Sequence, residues 1–358
     1  MKASSPVSAS TDPFCLLVQK TEFATVTPHP AVDRIYSLPR MIPGEALIAR
    51  RKMLLAAGKG VNAARILKIL LTAFGRALPS AKDARIRAYV WVGVNEASLF
   101  YRQLREAGVR PLLCSRPVPT RFGLSFYEFQ RDRTTHIREL MEKPTAAELR
   151  CFLAFLRKHR SRGWTAFCGS APPQTPLAAL KRWCVAMKCA GGLLLCDAGG
   201  PMLAAASAVG ADVLKGNAVE IGGWLFGGQR TRAFCPNRTE DMRRLQRVFE
   251  ARCAPAEVIV TLGAQGALLA RRDGIYSAQA PQLPKNKCGG TVGCGDAATA
   301  GRLWAAADVA GPEETLRRVV ACGSAKAASA DPGKLNPAWV ATLLKQIEVR
   351  RKDFSRGV

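Results

Sequence analysis

Cys288-Gly289-Gly290-Thr291-Val292-Gly293-Cys294-Gly295-Asp296-Ala297-Ala298-Thr299-Ala300-Gly301 runs a glycine-spaced turn straight into an alanine-rich helix, with one carboxylate at the junction. Backbone N–H groups in the first turn of a helix lack partners within it and lie at the positive end of its dipole, so an anion there is stabilised without a charged side chain. Gly293 and Gly295 permit a tight turn and a close approach of phosphate oxygens. Asp296 is then placed to take a proton from an incoming hydroxyl. The same residues also read as an ordinary glycine turn with Asp296 as the helix N-cap.

A second stretch, Ala57-Gly58-Lys59-Gly60-Val61-Asn62-Ala63-Ala64-Arg65-Ile66-Leu67, repeats the pattern of small residues before a helix. Val61, Ala64, Ile66 and Leu67 are its apolar positions, and Lys59 and Asn62 form a polar pair at its mouth. Together the two stretches resemble both signatures of the pfkB family of carbohydrate kinases, Gly-Gly-Lys-Gly-x-Asn and Gly-Ala-Gly-Asp. Ala57 stands where the first glycine is usual and Cys294 where alanine is usual, a small residue for a small residue in both places.

Further segments resemble the family in its order and spacing. Thr27-Pro28-His29-Pro30-Ala31-Val32-Asp33 and Pro43-Gly44-Glu45 come first, then Gly169-Ser170-Ala171-Pro172-Pro173 and Asp197-Ala198-Gly199-Gly200. Lys215-Gly216-Asn217-Ala218-Val219-Glu220, Val260-Thr261-Leu262-Gly263-Ala264-Gln265-Gly266-Ala267 and Ala321–Ala328 follow. The resemblance thus covers about Phe23 to Ile347. It implies a ribokinase-like, three-layer α/β/α fold with a mostly parallel central sheet and a small β-sheet lid.

The bulk properties agree. At 358 residues the chain has room for two domains, yet α/β folds of this size often form one core, and one kinase domain over 21–348 is expected. Residues 1–20 read as a disordered extension and 349–358 as a basic tail. Met1–Pro13 is Ser-rich without a charged start and an apolar run, so no secretory signal is expected and a cytoplasmic location is. No apolar run reaches the ~20 residues that a membrane span needs. Twelve cysteines are scattered singly, without Cys-x-x-Cys or a histidine at ligand spacing, so they read as reduced thiols rather than disulfides or a metal site. A net charge of +26 raises nucleic acid, anionic membranes and phosphorylated substrates as partners. The basic residues fall in short separate clusters, with no stripe and no interleaved aromatic platform, so solvated helix faces are the better reading and nucleic acid is not expected.

Alternating strand-like and amphipathic segments imply helices on both faces of a parallel sheet. Strands are expected at Phe14–Thr27, Ile86–Val94, Trp164–Cys168, Leu193–Cys196, Val213–Leu214 and Val258–Leu262. Helices are expected near Ser98–Ala107, Ala146–His159, Pro176–Cys189, Glu240–Arg252 and Pro312–Ser329. Arg34–Leu55 and Thr120–Arg138 read as hairpin strands, which the resemblance makes a lid shared across a homodimer. Arg76–Arg87 and Gly222–Arg232 read as surface insertions.

No Gly-x-x-x-x-Gly-Lys-Ser/Thr occurs, so this is not a P-loop protein. The resemblance implies Asp296 as catalytic base, with the amides of Gly293, Cys294 and Gly295 as the anion hole. It implies Asp33, Gly58, Lys59, Asn62 and Arg121 on the sugar side. Asn217, Glu220, Thr261, Gly263 and Gly266 would face ATP, with Asn217 and Glu220 positioning Mg²⁺ largely through water. Asn217 and Glu220 also read as a helix-capping pair, and Gly216 stands where proline is usual. His29, where the family has Asn, touches substrate or caps the first strand. Arg138 either joins Arg121 or, the better reading, faces solvent, and Gly123 replaces the usual lid Asn. The implied activity is ATP-dependent phosphorylation of a ketohexose phosphate, in the branch holding 1-phosphofructokinases and tagatose-6-phosphate kinases. Two alternatives stay open: a kinase of an unphosphorylated sugar or nucleoside, and an inactive kinase-derived sugar-phosphate-binding protein.

Overall fold

The computed structural model describes residues 22–75, 85–131, 133–188, 191–227, 232–283, 290–329 and 331–352. The expected extension at 1–20, the start of the first strand and most of the 76–87 insertion lie outside them. The first half contains β1 (Glu22–Thr27), β2 (Ala31–Leu38), β3 (Arg51–Ala57), α1 (Lys59–Phe74), β4 (Arg85–Gly93), α2 (Ala97–Glu106), β5 (Arg110–Arg116), β6 (Phe122–Glu128), β7 (Arg133–Arg138) and α3 (Ala146–His159). Then come β8 (Trp164–Cys168), α4 (Leu177–Lys188), β9 (Leu193–Asp197), α5 (Gly200–Ala208), β10 (Val213–Asn217), α6 (Ala218–Phe226) and α7 (Thr239–Arg247). The last part holds β11 (Glu257–Thr261), β12 (Ala267–Arg271), β13 (Gly274–Ala278), α8 (Cys294–Ala307), α9 (Pro312–Ala327), α10 (Pro337–Leu344) and β14 (Val349–Lys352).

Among the described residues the main sheet runs β14-β13-β12-β11-β10-β9-β8-β1-β4-β5. The pairs from β11 to β5 are parallel, and β12, β13 and β14 add antiparallel. Strand residues alternate between two cores, as the pleat requires. Phe23, Ile86, Ala88 and Val90 pack with α1, α2, α8, α9 and α10 on one face. Ala24, Val26, Tyr89 and Trp91 pack with α3 to α7 on the other. On that second face Trp91 stacks on Phe152 at 4.6 Å and meets Trp183 edge-on at 5.7 Å. Runs buried on both faces are what a covered parallel sheet needs, which is why β1, β8 and β11 read as continuous apolar strands.

A separate sheet, β3-β2-β6-β7, forms the small second layer expected of the lid segments. The chain leaves β1 on one side for β4 and β5 and later returns on its other side to β8. Ligands in open α/β sheets occupy the crevice at the carboxyl ends of strands where the order reverses this way.

Some expectations change. Val349–Lys352, read as the start of a basic tail, pairs with β13 as the sheet's edge strand; its Arg-Arg-Lys run suits an edge, where charge opposes further strand addition. Gly222 belongs to α6 and is buried against the Arg232 carbonyl rather than opening a surface loop. β5, β12, β13, α5 and α10 add to the expected set. Among the described residues no helix is long and apolar enough to cross a membrane.

Candidate active site

The carboxyl ends of β1, β8, β9, β10 and β11, the first turns of α1 and α8, and the small sheet enclose a cavity of about 990 Å³. All the residues singled out from the sequence line it: Asp33, Gly58, Lys59, Asn62, Arg121, Asn217, Glu220, Thr261, Gly263, Gly266, Gly293, Cys294, Gly295 and Asp296.

At one end α8 starts from Gly293, whose φ of 85° is left-handed. A β-carbon there would lie 2.8 Å from the Pro332 carbonyl oxygen and 3.1 Å from Lys326 Cε, so only glycine fits. The Cys294 N–H donates to the Thr291 carbonyl at 3.3 Å. The amides of Gly293 and Gly295, expected in the anion hole with that of Cys294, have no backbone acceptor among the described residues, and neither does that of Asp296. A β-carbon on Gly295 would meet nothing nearer than Lys215 Nζ at 3.9 Å, so this glycine keeps space open above the lysine rather than relieving backbone strain.

Asp296 is the third helical residue, not the N-cap. Its carboxylate is buried and accepts a hydrogen bond from Asn62 Nδ2 at 2.8 Å. Asn62 therefore orients Asp296, as well as lining the cavity. Burial, together with the charge of Asp197, pushes the Asp296 carboxyl up to about 6, against the hydrogen bond from Asn62 and the pull of Lys59 and Lys215. A carboxylate raised toward neutrality is a stronger base than a solvated one and still ionised at neutral pH.

Behind it lies a charge network. Asp197, at the end of β9, is 1% exposed, with Lys215 Nζ 3.1 Å and Lys59 Nζ 3.5 Å away. It also accepts the Thr299 hydroxyl at 2.7 Å, which ties β9 to α8. Burial works against its ionisation, but the two lysines hold it below its ordinary range. Lys59 donates to Glu220 at 3.2 Å, and its carboxylate neighbours hold its ammonium well above the ordinary lysine range. This lysine thus links the two halves of the chain at the site: α1 carries it, and β9 and α6 supply its carboxylates.

Asp197, Lys215 and Thr299 had no assigned role in the sequence reading. The available signal was a lysine within the buried strand Val213–Asn217, a position that demands a partner. Asn217 and Glu220 form a capping box on α6: Asn217 Oδ1 accepts the amides of Val219 and Glu220, and Glu220 Oε2 accepts that of Asn217 at 2.8 Å. The room at Gly216, where proline is usual, is taken by Glu220, whose Cβ would lie 3.0 Å from a side chain there. Gly266, with φ of 94°, is required by its packing against the Ala278 carbonyl, whereas Gly263 is unobstructed.

The lid closes the other end. Gly58 (φ 134°) starts α1 against Thr27, where a β-carbon would stand 2.7 Å from Cγ2. Ala57 ends β3 in ordinary strand conformation, so replacing the usual glycine introduces no strain. Asp33 on β2 is opposite Gly123 on β6, which is opposite Arg138 on β7. A side chain at 123 would collide with Asp33 Oδ1. Gly123 is thus what lets the Asp33 carboxylate turn into the cavity. Burial raises the Asp33 carboxyl, partly offset by Arg121 and Arg138. Arg138 is solvent-exposed as expected, but it also lines the cavity beside Arg121. His29 Nδ1 lies 2.9 Å from Ser170 Oγ, and burial beside Arg121 pushes its pKa down to about 3, so it stays neutral.

Gly123→Leu should displace Asp33, raising the KM for the sugar at least about tenfold while leaving that for ATP within about twofold. Steady-state kinetics with each substrate varied in turn checks this; equal effects on both would mean general damage to the lid.

The pfkB family carbohydrate kinase model matches residues 32–339. The chain belongs to the pfkB family. It is therefore a carbohydrate kinase, a phosphotransferase with an alcohol group as acceptor, and ATP is the family's phosphoryl donor. The 1-phosphofructokinase of Rhodobacter capsulatus is 27% identical over 329 residues, covering 91% of this chain and 97% of that one. Phosphofructokinase-2 from Escherichia coli, solved with substrates and products, superposes with a TM-score of 0.77 at 21% identity, covering 91% of this chain and 99% of that one. Ribokinase of Arabidopsis thaliana, solved with ribose and ATP, has a TM-score of 0.62 at 19% identity, with 90% and 98% covered. These likenesses make the fold ribokinase-like.

Proposed function

We propose that this kinase transfers the γ-phosphoryl group of ATP to a hydroxyl of a ketohexose phosphate. The observation that carries the reading is the pair of guanidinium groups, Arg121 and Arg138, lining the same cavity as Asp296. An unphosphorylated sugar has nothing for two cations to neutralise, whereas a phosphate accepts from an Arg fork with two donors at once. The 1-phosphofructokinase name carried by relatives supports the same class.

In this reading Asp33 accepts hydrogen bonds from sugar hydroxyls, and the phosphate of the sugar rests on Arg121 and Arg138. The acceptor hydroxyl lies against Asp296, which takes its proton as the oxygen attacks phosphorus. The amides of Gly295 and Asp296 face the transferring group, with Lys59 and Lys215 close by. Charge that builds on the moving phosphoryl thus meets donors already held in place, which cost no reorganisation during the reaction. Thr261, Gly263 and Gly266 line the nucleotide end.

The donor set also fits Mg²⁺, in a particular way. Among the described residues no group of three acidic, His or Cys side chains forms a metal cage, and the Asn217 and Glu220 oxygens are engaged in the capping box and with Lys59. They suit an ion that arrives on the nucleotide and is reached through water, as Mg²⁺ prefers. When bound, it would spread the negative charge of the ATP phosphates. The proposal also includes a cytoplasmic enzyme that forms a homodimer through the lid sheet.

Phosphorus NMR tests the reaction directly. The expected result is loss of the ATP γ signal with growth of a second phosphomonoester signal on a ketohexose phosphate. ADP formation that does not depend on sugar, or transfer only to an unphosphorylated sugar, would refute it. A pH dependence follows from Asp296. The base must be ionised, so kcat/KM should be flat above about pH 7 and fall about tenfold per unit below pH 6, rather than below pH 4 as for an ordinary aspartate.

A further inference from the structure

Lys326, in the last turn of α9, is 1% exposed and has no part in the chemistry above. Its ammonium donates to the Ser329 carbonyl oxygen at 2.5 Å. Among the described residues no carboxylate is within ion-pair distance of it; Asp331 in the same loop pairs with Lys334 instead, at 3.4 Å. A buried ammonium without a counter-charge is costly, so its retention needs a reason. The stem supplies one by its location. Lys326 Cε lies 3.1 Å from where a β-carbon on Gly293 would stand, directly against the turn that starts α8. The Pro332 carbonyl touches the same point at 2.8 Å, so Ser329, Pro332, the lysine and the Gly293 turn form one packed unit.

We propose that Lys326 is a built-in cation of the catalytic turn, a positioning residue that braces Gly293 and adds fixed positive charge beneath the amides that receive the transferring phosphoryl. The inference rests on the kinase reading above. It explains why the ammonium lacks a carboxylate partner: its field adds to that of the α8 N-terminus, and the anion that balances it is the ligand. Burial draws the Lys326 ammonium below the ordinary lysine range, and Cys294, Asp331 and Asp296, the other titratable groups near enough to act on it, partly offset this by favouring the charged form.

Lys326→Met keeps the stem and removes the charge. On the sugar phosphate that the wild type phosphorylates, kcat should fall roughly ten- to a hundredfold, with the KM for that sugar within about threefold. Lys326→Arg should recover part of the loss, as should methylammonium added to Lys326→Ala, where the truncated side chain leaves room for a small cation. Neither recovery would occur if the lysine only filled space. A kcat within about threefold of wild type in Lys326→Met overturns the proposal, and so does a loss that neither arginine nor methylammonium relieves. If Lys326→Met does not fold, Lys326→Gln, which can keep the bond to Ser329, takes its place with the same outcomes. Absence of turnover by the wild type on any sugar phosphate would be a failure of the sugar-phosphate reading alone. The lysine is then judged by calorimetric affinity for a non-hydrolysable ATP analogue with Mg²⁺: about tenfold weaker in Lys326→Met supports the proposal, and unchanged affinity overturns it.

Discussion

Asp296→Asn should lower kcat by roughly two to four orders of magnitude while the KM for the sugar changes by less than about threefold. The asymmetry follows from the geometry. Asp296 is held by Asn62 at 2.8 Å and buried at the start of α8, while Asp33, Arg121 and Arg138, which the proposed function sets against the sugar, belong to the lid. An asparagine keeps the shape and a hydrogen bond to position 62 but cannot take a proton. The same substitution should raise stability at alkaline pH. The folded-state pKa of Asp296 is raised from an ordinary 3.8 to about 6, so the fold favours the protonated form. The stabilisation from this group is fully present below about pH 4 and lost as pH rises through 6, at a cost of about 3 kcal/mol for the ionised carboxylate. Asp296→Asn removes that cost, so its melting temperature should exceed that of wild type at pH 8 and match it near pH 4. Near-normal turnover would remove Asp296 as the base. An unchanged melting difference across pH would remove the burial argument.

Arg121→Ala should lower kcat/KM for a phosphorylated sugar by about two orders of magnitude and leave that for the unphosphorylated sugar within about threefold. The estimate corresponds to losing charge-assisted hydrogen bonds to a phosphate, of the order of 1.5–3 kcal/mol each. Arg121 Nε also donates to the Pro30 carbonyl at 3.3 Å, so alanine loosens the turn that carries His29 as well. Arg121→Lys separates the two effects, because it keeps the charge and loses the planar fork. Lysine should restore only part of the phosphate preference. An equal loss on both sugars would mean that Arg121 supports the lid and does not grip the phosphate.

The residues most legible in the sequence were those whose constraint is local. Gly293 needs a positive φ and Asp296 follows a turn that opens a helix, so their neighbours in sequence announce them. The capping box at Asn217 and Glu220 was legible for the same reason, as a three-residue spacing. What could not be read depends on distant strands meeting. Asp197 gains its importance only because β10 brings Lys215 beside it and α1 brings Lys59 across the sheet. Cys294 has its N–H engaged by Thr291, a detail of the turn that residue types do not specify. Gly123 looked like a lost contact, yet its meaning lies in register: it is opposite Asp33, and the missing side chain is what admits that carboxylate. β14 was hidden because Val-Arg-Arg-Lys resembles a solvated tail until an edge strand is there to receive it.

The most direct test compares kcat/KM for a ketohexose with and without its phosphate, with Mg-ATP and continuous detection of ADP, across fructose 1-phosphate, fructose 6-phosphate, tagatose 6-phosphate and fructose. The account predicts that one phosphorylated ketose exceeds its unphosphorylated counterpart by about a hundredfold or more. Comparable or better turnover of the unphosphorylated sugar would contradict it.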